Sequence, residues 1–325
     1  MRGFFFHSKS LNPYENLAIE EAALNSRSPT LYLWQNDKTV VIGRNQSAFV
    51  ECNLDYAKEQ NIKIARRITG GGAVYHDLGN LNFSFILPKK SYDIKRSTCI
   101  ILNTLHKLKI AVNTDGRNDI CFADKKISGN AYYSNSVVGL HHGTILYDAD
   151  FDTLEKVLLV STDKKSRHSV SSVRARVNNI KAISPNISLE EIIKTIKEEF
   201  CVEYGISQLL PLHSVDTDAL IKKHSSYDWI YRRVANYEII KAQAFNWGEV
   251  SVSLHCDCEN IKNIDIVTDA MYADLIDDLR FVFNEELAKS PNLTAFLQKI
   301  QNKSTQIAYD ISTLLENCIR KHFNV

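Results

Sequence analysis

The residue types that handle small anions gather in one stretch, Arg66-Arg67-Ile68-Thr69-Gly70-Gly71-Gly72-Ala73-Val74-Tyr75-His76-Asp77-Leu78-Gly79-Asn80-Leu81-Asn82. Four of the chain's 12 glycines, Gly70, Gly71, Gly72 and Gly79, fall in it. Adjacent glycines let a backbone approach a ligand and adopt positive φ. Successive N–H groups in such a turn can cradle an anion. Two arginines ahead of it can hold a carboxylate or phosphate through paired hydrogen bonds. The Gly-Lys-Ser/Thr ending of a P-loop is absent, and so is the dinucleotide fingerprint. Taken alone, three glycines read equally well as a surface turn.

Two further segments carry candidate groups. In Gly116-Arg117-Asn118-Asp119-Ile120 and Lys125-Lys126-Ile127-Ser128-Gly129-Asn130-Ala131, a lysine beside a small-residue turn can set a fixed cation near a reacting carboxylate. Asp119 is the candidate magnesium contact, because that ion takes few carboxylates and completes its shell with phosphate oxygens. A Lys-Lys pair by itself is usually a solvated face. The third segment, His141-His142-Gly143-Thr144-Ile145-Leu146-Tyr147, reads otherwise as a strand with a polar edge.

These segments need a scaffold. Asn12-Pro13-Tyr14-Glu15 has a capping residue, a first-turn proline and an acidic third position, and predicts a helix through Leu24. Leu31–Trp34 and Thr39–Ile42 read as strands of a hairpin around Gln35–Lys38. Residues 62–67 and 82–87 read as strands, and residues 55–60 and 98–108 as helices. Ser188-Leu189-Glu190-Glu191 has the form of a capping box. Behind it Leu189, Ile192, Ile193, Ile196 and Phe200 line one helical face. Strands and helices mix, and several strands look hairpin-connected, which predicts an α+β fold with a largely antiparallel sheet flanked by helices. Trp247-Gly248-Glu249 opens a second strand pair with its turn at Glu259-Asn260, and two helices follow. We therefore expect a domain over residues 1–240 and a smaller α+β domain over 245–325.

The 325-residue chain has 39 Lys+Arg against 38 Asp+Glu, a balance unlike that of a bulk nucleic-acid binder. No apolar run approaches the roughly 18 residues of a membrane span. Met1–His7 has too short an apolar core for a signal peptide and reads as a first buried strand. Seven scattered cysteines fit free thiols in a reducing compartment. His255-Cys256-Asp257-Cys258 continues a strand and has no second ligand pair at zinc spacing. A cytoplasmic protein without membrane or nucleic-acid partners is expected.

The three chemical segments, in this order, resemble the signature of the lipoate–protein ligase family. The first follows the pattern Arg-Arg-x-x-Gly-Gly-Gly-x-Val-x-His-Asp-x-Gly-Asn at every fixed position. The second follows Gly-Arg-Asn-Asp with Lys-Ile-Ser-Gly-x-Ala, and the third His-His-Gly-Thr. Residues 16–21, 33–34, 40–46, 51–53 and 172–177 are also similar. The likeness is dense over residues 12–180 and thins towards the end, where residues 229–231 and 245–248 resemble the family's join to an accessory domain.

The resemblance implies a catalytic domain like that of biotin ligases and class II aminoacyl-tRNA synthetases. It implies ATP, magnesium and lipoate as substrates and metal, with no tightly bound cofactor. Lys126 would contact both lipoate and the α-phosphate. Arg67, Gly72, Ala73, Val74 and Tyr75 would hold the nucleotide. Gly71, His76 and His142 would border lipoate. The acceptors would be lipoyl domains of 2-oxoacid dehydrogenase E2 subunits, or glycine cleavage H protein. Two features depart from the pattern: Tyr133 stands where some relatives have arginine, and Arg232-Arg233-Val234-Ala235-Asn236 replaces a Gly- and Pro-containing join.

Other readings stay open at this point. A transferase of the same fold could pass the acyl group through a Cys121 thioester, its thiolate helped by the nearby lysine, although a lone Cys in a strand is usually a small hydrophobe. A transferase could instead use preformed lipoyl-AMP, or the chain could be an inactive binding module. Biotin ligation is disfavoured, because no Gly-Arg-Gly-Arg-type loop is present.

Overall fold

Asn12 caps helix Pro13–Ala23 by accepting from the Tyr14 N–H, and the helix lays Asn16, Leu17 and Glu20 inward. This local geometry belongs to a computed structural model that describes residues 2–115, 118–159, 176–211, 217–232, 238–257, 260–290, 292–300 and 305–323. Gly116, Arg117, residues 172–175, residues 233–236, Cys258 and Glu259, which the sequence singled out, lie outside the described residues.

The chain divides into two compact units. Met1–Ile42, Ala48–Arg67 and Ala73–Ile230 form the first; Gly43–Ser47, Ile68–Gly72 and Tyr231–Val325 form the second. The first is built on an eight-stranded sheet. Its strands are β1 (Arg2–His7), β2 (Thr30–Trp34), β6 (Asn80–Pro88), β7 (Asn113–Asp115), β8 (Asp119–Phe122), β9 (Lys125–Ser134), β10 (Val138–Leu146) and β11 (Gln208–Pro211), in the order β11-β1-β2-β6-β10-β9-β8-β7. β1 runs parallel to both β11 and β2, and the remaining pairs are antiparallel. The expected α+β class, with its mixed and mostly antiparallel sheet, is what forms. A second, three-stranded sheet holds β3 (Thr39–Ile42), β4 (Lys63–Arg66) and β5 (Val74–His76), with β3 between the other two.

The expected hairpin of β2 with β3 does not form. β2 pairs with β1 and β6, whereas β3 pairs with β4 and β5. Both strands are buried along their whole length, so each needs neighbours on two sides, which a two-stranded hairpin cannot supply. The connector carries the chain between sheets: the Asn36 amide is tied to Asn16 and His76 rather than closing a turn.

Register assigns the faces of the large sheet. Directly paired residues share a face, and successive residues alternate. Leu31, Leu33, Leu81, Phe83, Phe85 and Ile145 pack with Ile100, Ile101 and Leu105 of helix Ile94–Lys107 and with Ile192, Ile196 and Phe200 of helix Leu189–Tyr204. The capping box at Ser188 and Glu191 forms as the sequence suggests, and Gly205 ends that helix at φ 60. The opposite face carries Tyr32 and Trp34, paired with Ser84 and Asn82, which pair in turn with His142 and Thr144.

The second unit holds a three-stranded antiparallel sheet, β12 (Glu238–Phe245), β13 (Gly248–Asp257) and β14 (Asn260–Thr268). Its core joins Val250, Val252, Leu254, Ile264 and Ile266 to Phe283, Ile311 and Leu315. Among the described residues three helices follow rather than the two expected: Ala273–Lys289, Leu293–Ile300 and Gln306–Phe323. Among the described residues no helix is long and apolar enough to cross a membrane.

Candidate active site

Lys126 owes its position to two irregularities. The β8–β9 turn is two residues long, and both, Ala123 (φ 46) and Asp124 (φ 63), have positive φ, as twist-matched hairpin turns require. The ladder then slips. Asp119 faces Gly129 and Ile120 faces Ser128, but Cys121 faces Lys126, leaving Ile127 as the extra residue of a bulge. Bulges re-aim side chains beside active sites. Here Ile127 enters the core fully buried, and Lys126 shares a face with Asp119.

The small residues after Lys126 form no turn, contrary to the sequence reading; Ser128, Gly129 and Asn130 lie inside β9. Smallness serves the lysine. A Cβ on Gly129 would meet Lys126 Cε and Nζ at 2.7 Å, so the side chain lies across the glycine. Lys126 Nζ is 2.9 Å from Asp119 Oδ1. Asn118 and Asn130 bind each other's backbone carbonyls through their side-chain amides, at 2.8 and 2.9 Å, and so lock β8 to β9 at Asp119. The Lys126 carbonyl accepts from the Asn178 N–H at 2.9 Å.

Around Lys126 a pocket of about 270 Å³ opens, lined by Ala73, Val74, Tyr75, Asp119, Thr144, Leu146, Leu154, Leu158, Arg176 and Val177. Two cations stand against one carboxylate, with the hydroxyl residues Tyr75 and Thr144 and an apolar remainder. That composition suits a ligand with a negative centre and an apolar part. Among the described residues no group of three or more His, Cys, Asp and Glu could hold a metal ion, and Asp119 is the only carboxylate of those residues to line the pocket.

A buried polar layer continues along the same sheet face. Trp34 Nε1 donates to Ser84 Oγ at 3.1 Å, Ser84 Oγ donates to Glu20 Oε1 at 2.5 Å, and His142 Nδ1 donates to the same oxygen at 2.8 Å. The carboxylate only accepts, so Nδ1 of His142 carries the proton. The Asn36 Oδ1 accepts from Asn16, which turns its Nδ2 towards His76 Nδ1 at 3.2 Å. The His76 proton therefore sits on Nε2, a buried donor with no protein acceptor among the described residues. Burial first, then Arg67 and His142, push the His76 imidazole down to about 3, so it is neutral at ordinary pH. Arg67 is buried too. Desolvation lowers it to about 10, and Glu20 opposes that shift. Its Nη1 donates to the Val41 carbonyl at 3.0 Å.

The neighbouring histidines part company. His141 is fully buried on the helix side, its Nε2 donating to Asn130 Oδ1 at 2.9 Å, with the Phe83 and Phe85 rings edge-on. His142 faces the polar layer. The three glycines also differ. A Cβ on Gly70 would lie 2.1 Å from the Ala270 carbonyl oxygen. Gly71 has φ 92 and donates to that same oxygen at 3.2 Å. A Cβ on Gly72 would meet nothing within 4 Å.

The pocket thus gathers Ala73, Val74, Tyr75, Asp119 and Lys126 from the expected set. Arg67, His76 and His142 sit instead in the buried layer, and Gly71 and Gly72 line neither. Sequence reasoning gave no role to Glu20, Thr144, Arg176 or the three leucines. Arg176 had a signal, in Val173-Arg174-Ala175-Arg176-Val177. Leu146 lay inside the third segment, whereas Leu154 and Leu158 had no signal, since only the fold brings them to the pocket. Cys121 is buried beside Lys126, and burial, then Asp119 and Asp115, push its thiol up despite the lysine. A raised thiol is a poor nucleophile.

A pocket with two cations against one carboxylate, beside a buried polar layer on a mixed sheet, suits a protein that handles a small anion. The profile described as "Lipoyl protein ligase A/B catalytic domain" matches residues 12–201, and that described as "Bacterial lipoate protein ligase C-terminus" matches residues 235–316. The chain belongs to the lipoate–protein ligase family. It is 33% identical over 320 residues to lipoate-protein ligase A of Psychrobacter cryohalolentis, covering 94% of each chain. Among solved structures it resembles P. falciparum LipL1 in complex with lipoate, with TM-score 0.81 and 27% identity over 97% of this chain and 99% of that one. A bipartite lipoate protein ligase of Thermoplasma acidophilum, solved with its E2 lipoyl domain, gives TM-score 0.63 and 29% identity over 74% and 98%. A lipoate-protein ligase A with bound ATP gives 0.60 and 28% over 70% and 97%.

Proposed function

We propose that this chain is an ATP-dependent lipoate–protein ligase that works in two half-reactions at the Lys126 pocket. In the first, a carboxylate oxygen of lipoate attacks the α-phosphorus of ATP. The bond from that phosphorus to its bridging oxygen breaks, pyrophosphate leaves, and lipoyl-AMP remains. Both reactants are negative and repel. A fixed ammonium between them offsets the developing charge, and a water-poor site strengthens the effect. Lys126 is that cation, touching both lipoate and the α-phosphate, and it exchanges Asp119 for the substrates as they enter.

Arg67, Gly72, Ala73, Val74 and Tyr75 hold the nucleotide in this reading, with Gly71, His76 and His142 along lipoate. The polar layer is buried and shares the sheet face of Thr144, while Leu146, Leu154, Leu158 and Val177 offer the apolar wall that the acid's alkyl chain needs. Magnesium would accompany the nucleotide. Asp119 is the residue that would meet it, and a single carboxylate suffices only because phosphate oxygens supply the other ligands.

In the second half-reaction a neutral lysine amine of an acceptor lipoyl domain attacks the carbonyl carbon of lipoyl-AMP. The C–N bond forms, the C–O bond to AMP breaks, and the amine loses its proton. We assign the acceptors to E2 subunits of 2-oxoacid dehydrogenases or glycine cleavage H protein, the compartment to the cytoplasm, and residues 245–325 to an accessory domain.

The observation that carries this reading is the Lys126 ammonium laid over Gly129 beside Ala73, Val74 and Tyr75. The test incubates the protein with lipoate, magnesium–ATP and a purified lipoyl domain, and follows the domain's mass. Lipoylation that requires ATP supports the ligase. Modification only from synthetic lipoyl-AMP would make the chain a transferase, and modification only from an octanoylated donor protein would redirect attention to Cys121.

A further inference from the structure

Arg66 is the bulkiest fully buried side chain of the described residues, yet it does not line the pocket. Its Nε donates to the Trp229 carbonyl at 2.8 Å and its Nη2 to the Ile230 carbonyl at 2.6 Å. The Trp229 indole N–H returns a bond to the Arg66 carbonyl at 2.9 Å. These carbonyls end the helical turn Asp228–Arg232, and terminal carbonyls of a turn lack internal donors and attract cations. Burying a guanidinium is costly unless its donors are all used, so a structural filler of this size would be better apolar.

What the arginine holds is the root of three chain segments. Ile42, Arg67 and Ile230 are each the last residue of the first unit before the chain leaves it. The Arg67 N–H bonds the Ile42 carbonyl at 3.1 Å, and Arg67 Nη1 bonds Val41. Arg66 adds the third root through Trp229 and Ile230. The same alternation recurs on helix Pro13–Ala23. Glu20 faces the buried layer, whereas Glu21 accepts from Lys223 Nζ at 2.6 Å and from His224 Nε2 at 2.8 Å, on the helix just before the turn. Lys223 in turn stands 4.3 Å over the Trp229 ring. Residues 218–230 are thus gripped by Glu21 and Arg66, the immediate neighbours of Glu20 and Arg67 in the site.

We propose that Arg66 is a positioning residue for the ligase reaction: by clamping the Trp229–Ile230 turn onto the end of β4, it fixes the Arg67 guanidinium in its ligand-binding orientation. The inference rests on the ligase reading. It makes the 218–230 segment part of the binding apparatus although none of its residues touches the pocket.

The test measures lipoyl-AMP formation against lipoate and ATP concentration for wild type, Arg66→Gln, Arg66→Lys and Trp229→Phe. Loss of orientation removes binding, so KM rises while kcat holds. We expect about a tenfold rise in one KM for Arg66→Gln, with kcat within about twofold. Arg66→Lys, which keeps one charged donor, should recover part of it, and Trp229→Phe should move KM the same way by less. A purely structural role would lower kcat through loss of folded enzyme and leave KM unchanged. That result, or no change in either constant, overturns the proposal. If Arg66→Gln does not fold, the same criteria apply to Arg66→Lys and Trp229→Phe. Wild-type protein that makes no lipoyl-AMP would count against the ligase reading instead.

Discussion

Gly129→Ala should disable the enzyme without unfolding it. The added Cβ would lie 2.7 Å from both Cε and Nζ of Lys126, while its next contact, Thr144 Oγ1, is an ordinary 3.6 Å away. Carbon contacts relax at about 3.5–4 Å, so the ammonium must retreat by roughly 1 Å. Gly129 is buried, but the end of a lysine moves cheaply, so folding stability should change by about 1 kcal/mol or less. Catalysis is less forgiving, since a misplacement of about 1 Å costs on the order of 100-fold, or about 2.7 kcal/mol of barrier. The 2.9 Å contact to Asp119 should be lost with it. The assay pairs thermal unfolding with pyrophosphate release from lipoate and ATP. Gly143→Ala is the contrasting control, because its Cβ would meet Phe83, the Gly129 carbonyl and Asn130 at 2.6–2.8 Å, and it should cost about 1–3 kcal/mol of stability. A Gly129→Ala enzyme with wild-type rates would refute the claim that Lys126 acts from where it lies.

Lys126→Ala should abolish lipoyl-AMP formation while far-UV circular dichroism stays unchanged; adenylate at the wild-type rate would remove the lysine from the chemistry. A Cβ at Gly72 meets no described residue within 4 Å, so lost ATP affinity in a normally stable Gly72→Ala variant would mark a ligand contact, and unchanged affinity would take Gly72 off the nucleotide. Cys121→Ser should retain ATP-dependent activity, because a raised, buried thiol is no nucleophile; complete loss with an unaltered fold would revive the thioester route. His76 and His141 are each held down to about 3 from 6.5, both by burial first. They stay neutral in the fold and charge only on unfolding, so their contribution is full above about pH 7 and is lost as pH falls from 6.5 towards 3. At about pH 5 that amounts to about 2 kcal/mol each, read as a lower urea midpoint than at about pH 7.5; equal midpoints would contradict it.

Much of the architecture was legible because it is written in local rules. The Asn12 cap, the Ser188 capping box and the alternation of residues 82–87 each fixed an element without reference to the rest. The β2–β3 connection was misread because a polar four-residue link looks the same whether it turns back or crosses between sheets. The β8–β9 turn carries Ala123 and Asp124 where Asn-Gly would announce a hairpin, so nothing local marked it. The bulge at Ile127 is a matter of register between strands, and it decides which way Lys126 points. In the site, the chemical groups stood out by type and spacing, but their partners did not. Glu20 lies far from His142 in sequence and meets it only through packing. The division of labour between Arg66, the last residue of β4, and Arg67, just beyond it, follows from the different carbonyls each reaches, and residue type says nothing of that.

In the proposed reaction this chain itself activates lipoate at the Lys126 pocket. Lipoate-dependent exchange of labelled pyrophosphate into ATP, with no acceptor present, tests it most directly. Exchange in the wild type should require both lipoate and magnesium and should vanish in Lys126→Ala. Absence of exchange in folded wild-type protein, alongside lipoyl transfer from synthetic lipoyl-AMP, would contradict it.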